Sequence, residues 1–188
     1  MHFGHTFPPP LPTAEGSQRV AANYRAIVKG MQAAGVRVVN MSWRYSPAAI
    51  EGQLTVHGAG RDAADRQRLA RELFALERDA LRDAIAGAPE ILFGAGSGNE
   101  NNSADFSEYI PGGFELPNLV TVGASDRAGD ETGFSTFGRT VVLHANGFEV
   151  DSLIPGGEHM KISGASMAAP QVTNLAAKLL ALDASLTP

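Results

Sequence analysis

The 188-residue sequence contains no cysteine. Disulfides and thiolate metal sites are therefore excluded, and cysteine usage leaves the redox compartment open. An excess of positive charge is also missing: 15 Lys and Arg stand against 20 Asp and Glu, for a formal net charge of −5. No basic stripe exists to neutralise a run of phosphates, so nucleic acid is not an expected partner. Apolar runs of about 18 residues, the length a membrane-spanning helix needs, do not occur, and no membrane partner is expected. The opening MHFGHTFPPPLPT has no basic stretch ahead of an apolar one, so no targeting segment is visible in it and the compartment is left open. Repeats and low-complexity tracts are lacking too. What remains is a chain with 44% hydrophobic residues, enough for one domain with a sizeable core.

Residues 1–16 are rich in Pro and Gly and without period, and read as a loop or lead-in. Val20, Tyr24, Ile27 and Met31 then recur at steps of four, three and four. That is the spacing of one helix face, and it predicts a helix over 17–34 with Ser17 as N-cap and Gly35 just past its end. VRVVNMS (36–42) is short, β-branched and apolar, as a parallel strand covered on both faces would be. A polar stretch over 44–60 leads to a charged segment in which Leu69, Leu73, Leu76, Ala80, Phe74, Leu81 and Ile85 form an apolar stripe. This predicts a long amphipathic helix, started by Asp62 and stopped by Gly87 and Pro89. EILFGAG (90–96), NLVTVGA (118–124) and TVVLHANG (140–147) read as three more strands without clear helices between them, and SMAAPQVTNLAAKLLAL as a closing helix from near Ser166. Apolar strands alternating with helices predict a three-layer α/β fold with a mainly parallel sheet.

Two stretches carry candidate chemistry. In GASMAAP (164–170) a single hydroxyl, Ser166, stands among small residues at a helix start. A serine nucleophile needs a base and a place for the developing negative charge, and free N–H groups at a helix N-terminus supply the second. Ala165 and Ala168 add no bulk against an approaching carbonyl, and Pro170 is expected in the first turn, where its missing N–H costs nothing. An ordinary N-cap serine explains the same run. GAGSGNEN (94–101) follows a strand directly, and its Asn99 is placed to offer a side-chain amide to an oxyanion. A plain Gly/Asn turn explains it too, and a phosphate loop fits poorly because the G-x-G-x-x-G spacing is not met.

Taken together and in order, VVNMSW, GSGNEN, LPNLVTVGASD, FSTFG and GASMAAPQVTNLAAKLLAL resemble the C-terminal part of the catalytic domain of the subtilisin-like serine proteases, the subtilases. The resemblance covers residues 17–188 and implies a partial subtilisin-like fold and serine endopeptidase chemistry without a cofactor. By that likeness Ser166 is the nucleophile and Asn99 the oxyanion donor. Ser42, Trp43, Ser97 and Gly98 lie on the substrate side, and the partner is a peptide or protein substrate. Subtilases often bind calcium, but no ligand set is matched here and the metal content is left open.

The likeness has gaps. The family's D-[ST]-G and H-G-T-H motifs, which carry the aspartate and histidine of the triad, are not found. Asp151-Ser152 follows the wrong strand, and VHGAG at His57 lies downstream of the Ser42 strand and lacks the second histidine. The other histidines, His2, His5, His144 and His159, have no motif context. The resemblance thus implies a triad completed from upstream of Met1 and an isolated chain that is inactive. A non-catalytic peptide-binding or regulatory module is the alternative, and an esterase using a local histidine a third reading. Ala165 replaces the family's usual Thr and Gln171 its usual His, while Arg44 and Tyr45 stand in place of glycines beside the substrate edge. In the subtilase sheet the missing aspartate strand lies beside 36–42. Its absence predicts an open edge that self-associates or is covered by residues 1–16.

Overall fold

A computed structural model describes residues 9–188; His2 and His5 lie outside this range. Helix α1 spans Ala14–Ala33, strand β1 Val38–Met41, α2 Pro47–Val56 and α3 Ala63–Ala86. They are followed by β2 (Leu92–Gly96), β3 (Leu119–Ser125), β4 (Val141–Asn146), β5 (Val150–Leu153), β6 (His159–Ile162) and α4 (Ala165–Leu182). Strands β1 to β4 form one sheet in sequence order, every pair parallel. Strands β5 and β6 form a separate antiparallel hairpin. The three-layer α/β architecture with a mainly parallel sheet is the one expected.

The alternation of side chains along β2 explains the layering. Phe93 and Ala95 point into the main core with Phe74, Leu81 and Ile85 of α3, Ile50 and Leu54 of α2 and Val28 of α1. Gly94 and Gly96 point the other way, toward α4. A Cβ on Gly94 would stand 2.3 Å from Thr173 Cγ2, and one on Gly96 3.2 Å from the carbonyl carbon of Ala165. The glycines of GAG therefore serve close approach of a helix to a strand. Val122, Ala124, Ala168 and Ala169 complete this thin second core.

Several local expectations are corrected. Helix α1 begins three residues before Ser17, because the Thr13 side chain caps it by accepting from Gly16 N–H at 3.1 Å. Ser17 is instead buried and donates to Glu77 Oε1 at 2.7 Å. The stretch 44–60 contains α2, whose single buried pair, Ile50 and Leu54, is too short a period to stand out in sequence. Leu76 does not join the apolar stripe of α3 and is 40% exposed. In β1 only Met41 is buried, because β1 is the sheet edge and is covered less than an inner strand. No segment among the described residues pairs with its outer side. The β5–β6 hairpin was not foreseen, as its strands are short and mostly exposed.

Candidate active site

The parallel strands end together, and the site forms where the carboxyl ends of β1 and β2 meet the N-terminus of α4. Gly164, in the N-cap position, has φ 158° and no Cβ; an added Cβ would lie 3.1 Å from Asn99 Nδ2. This absence lets Asn99 close on the helix start, where its Oδ1 accepts the Ala165 N–H at 2.8 Å. Oδ1 is so engaged, and Nδ2, the donor end of the amide, has no protein acceptor among the described residues. The first N–H groups of a helix have no intrahelical partner, and the Ser166 N–H, next after that of Ala165, is one of them.

Pro170 is not in the first turn, as expected, but inside α4. A proline there removes the bond to the carbonyl four residues back, which is that of Ser166. Ser42 supplies the missing donor: its Oγ donates to Ser166 O at 2.8 Å, and Asn40 Nδ2 donates to Ser42 Oγ at 2.9 Å. In return Ser166 Oγ donates to the Ser42 carbonyl at 3.3 Å. Strand end and helix start are thus tied by a reciprocal pair, which holds the Ser166 backbone where the ordinary helical bond is absent.

The remaining expected residues divide. Trp43 is partly exposed and stacks on Tyr24 of α1, with ring centroids 6.2 Å apart and planes 10° apart. Gly98 has φ +113°, and a Cβ there would meet Glu100 Oε2 at 2.7 Å and Thr136 Oγ1 at 2.9 Å. Ser97, expected on the substrate side, is fully buried, so its side chain belongs to the packing beneath the loop. No histidine among the described residues bonds to Ser166. His57 is the C-cap residue of α2 with its ring against Pro9 O at 2.6 Å, His144 lies on β4, and His159 pairs with Asp151 at 3.1 Å.

Sequence reasoning missed a charged cluster next to the loop. Arg44 forms an ion pair with Glu100, and its guanidinium sits 4.3 Å from the centre of the Tyr109 ring. Glu100 also accepts the Asn99 N–H at 2.9 Å. Burial lowers the pKa of Arg44 and raises that of Tyr109. The backbone of Tyr45 exchanges two hydrogen bonds with Ile110, at 3.0 and 2.9 Å, so this part of the edge is already paired. No sequence signal links positions 44, 100 and 109, which are joined only by the crossing of loops.

A sequence model of the subtilase family matches residues 11–188, and the chain belongs to that family. It is 34% identical over 129 residues to a subtilisin-like protease of Coccidioides posadasii, covering 68% of this chain and 31% of the relative. With subtilisin-like protease 6 of Arthroderma benhamiae it shares 32% identity over 145 residues, 77% of this chain and 34% of that one. The chain thus spans about a third of the length of these relatives. Among solved structures, a cold adapted subtilisin-like serine proteinase is 28% identical with a TM-score of 0.57, over 80% of this chain and 44% of that one. The self-cleaved protease domain of PatA has a TM-score of 0.60 over 89% of this chain and 52% of that one. At 24% identity it speaks for the fold alone.

Proposed function

We propose that the chain is the nucleophile and oxyanion part of a serine endopeptidase, with Ser166 as nucleophile and Asn99 Nδ2 and the Ser166 N–H as oxyanion donors. The observation that carries the reading is the bond from Ala165 N–H to Asn99 Oδ1. It commits the amide oxygen, so that the nitrogen is the end able to donate, together with the Ser166 N–H, to a tetrahedral oxyanion. The peptide substrate lies along the Ser42–Trp43 edge. Ser166 attacks the scissile carbonyl, its proton passes to a histidine base and from there to the leaving amine, and water then releases the acyl group. That histidine, and the aspartate orienting it, must reach Ser166 from outside the described residues.

The test is hydrolysis of a chromogenic peptide anilide by three proteins: this chain, its Ser166→Ala variant, and the chain joined to an upstream segment bearing D-S-G and H-G-T-H. The expected result is negligible turnover by the chain alone and turnover by the extended form that Ser166→Ala abolishes. Turnover by the 188-residue chain that Ser166→Ala removes would instead reveal a local base. The second reading, a non-catalytic peptide-binding module, is favoured by the Ser166 hydroxyl being engaged with the Ser42 carbonyl. An extended form that stays inactive yet binds peptide would support it.

The open edge of β1 carries a further expectation, self-association. Among the described residues Val38 and Val39 have no strand beyond them, Arg37 is the only charge in 36–42, and unpaired edges template other chains. Light scattering over a concentration series should show association, reduced by Val38→Arg. A monodisperse monomer with this edge bare would refute it.

A further inference from the structure

Asn99 is held at two points. Its Oδ1 accepts the Ala165 N–H at 2.8 Å, and its own backbone N–H donates to Glu100 Oε2 at 2.9 Å. Glu100 by itself is a poor anchor: its side chain is 51% exposed, and a carboxylate so exposed is as well served by water as by one backbone N–H. Arg44 changes that. Its Nη1 pairs with the same Oε2, its side chain is only 19% exposed, and its guanidinium lies 4.3 Å from the centre of the buried Tyr109 ring. Its Nε is buried without an acceptor among the described residues, so Tyr109 and Glu100 are what fix the group. Room for the pair comes from Gly98, where a Cβ would stand 2.7 Å from Glu100 Oε2 and 3.1 Å from Arg44 Nη1. The pair thus lies against the residue immediately before Asn99. The loop backbone is tied on either side of Asn99, by Thr136 N–H donating to Gly98 O at 3.1 Å and Asn101 N–H to Phe134 O at 2.9 Å. Both bonds flank Asn99 without touching it.

An ion pair between two exposed, flexible side chains contributes little. Here the cation is mostly buried and laid on an aromatic face, and its partner has a second, charge-assisted bond to make. An arginine beside a peptide edge could instead serve as a docking cation for an acidic side chain. That role does not fit Arg44, whose Nη1 is taken and whose Nε is out of water. We propose that Arg44 is a positioning residue for the oxyanion donor: it holds Glu100, Glu100 holds the Asn99 N–H, and the Asn99 side chain is thereby kept on the first turn of α4. The inference rests on the reading of Asn99 as an oxyanion donor and adds to it the group that keeps the donor in place. Arg44 stands two residues after Ser42, whose hydroxyl donates to Ser166 O at 2.8 Å. One strand end therefore fixes the helix start directly and the amide through Glu100. Arg44 makes and breaks no covalent bond, and its effect is on geometry alone.

Amide hydrogen exchange on the full chain reads this coupling without any turnover. Arg44→Met keeps a stem against Tyr109 and removes the charge. It should speed exchange of the Ala165 and Asn99 N–H groups about tenfold, as a local opening does. The N–H groups of Phe93 and Ser97, bonded to Asn118 O at 2.8 Å and Val122 O at 2.9 Å, should keep their rates. Glu100→Ala should have the same effect, and Arg44→Met added to it should change nothing further, because the arginine acts through that carboxylate. If Arg44→Met does not fold, Glu100→Gln decides, since it keeps an oxygen for the Asn99 N–H but offers no charge to Arg44. Faster exchange at Ala165 in that variant supports the proposal. An unchanged rate at Ala165, an equal rise at all four amides, or additive effects of Arg44→Met and Glu100→Ala would overturn it. In the extended form bearing D-S-G and H-G-T-H, Arg44→Met should lower kcat about tenfold with KM unchanged, less than the roughly hundredfold that loss of an oxyanion donor costs. A rise in KM alone would overturn the proposal and make Arg44 a peptide contact. If that extended form shows no turnover at all, the reading of Ser166 fails while the exchange rates still decide on Arg44.

Discussion

The two faces of the parallel sheet are built from different materials. One is covered by α1, α2 and α3 through large side chains, Phe74, Phe93, Ile50, Ile85 and Leu81. The other is covered by α4 through Gly94, Gly96, Ala165, Ala168 and Ala169. Burial of large apolar groups supplies most of the stability at about 25 cal/mol per Å². Small residues contribute little of that, but they allow backbone to touch backbone. The difference assigns stability to the first face and positioning to the second: α4 comes close enough for Asn99 and Ser42 to grip its first turn.

Substitutions on the two faces should therefore separate stability from geometry. Phe74→Ala, at a fully buried position, should cost about 3–5 kcal/mol in chemical denaturation. Unfolded protein aside, it should leave the site intact, with peptide binding preserved in whatever fraction remains folded. Gly96→Val meets the backbone of Ala165 and should cost less, about 1–3 kcal/mol as overpacking, yet should weaken peptide binding in the folded fraction, because the start of α4 is pushed from Asn99. If Gly96→Val leaves binding untouched, the division between the faces fails.

Ser42→Ala removes the donor that serves the Ser166 carbonyl in place of Pro170. It should cost about 1 kcal/mol, and Pro170→Ala, by restoring the helical N–H, should recover part of that loss in the double variant. Additive effects of the two changes would show that the exchange of donors is not the coupling. The smallest effect concerns Glu77, whose pKa is raised, chiefly by burial and against the pull of the Ser17 hydroxyl. A carboxyl with a higher pKa folded than unfolded stabilises the protein fully below the unfolded value. That contribution is lost as pH rises from about 4.3 through the folded value. The difference in melting temperature between the unmodified chain and Glu77→Gln should accordingly shift against the unmodified chain between pH 4 and 7. A difference that is flat with pH would show Glu77 to be no less comfortable ionised in the fold than in water.

Much of this was legible in the chain. The periods of α1, α3 and α4 follow from one buried face repeating along a helix, and β2 and β3 from uninterrupted apolar runs. The N-cap of α3 at Asp62 is a local signal and was readable as one; it accepts from Asp65 N–H at 2.8 Å. Ser17 and Thr13 show the limit. Both are cap residues four positions apart, and the choice between them was made by Glu77, sixty residues away, which takes the Ser17 hydroxyl. Helix α2 was hidden because a helix that buries only Ile50 and Leu54 leaves no periodic trace.

The sequence by itself determined the order of α1, β1, α3, β2, β3, β4 and α4 and the small-residue runs around Ser166 and Asn99, because steric room and periodicity are properties of neighbouring residues. The tertiary structure alone decided that Asn99 Oδ1 takes the Ala165 N–H, and that Ser42 replaces the donor Pro170 lacks. It also decided that Arg44 is taken by Glu100 while Glu77 has no ion-pair partner among the described residues. Each of these depends on which groups, 56 to 124 residues apart, compete for one partner, and that competition is settled only when the chain has closed around it.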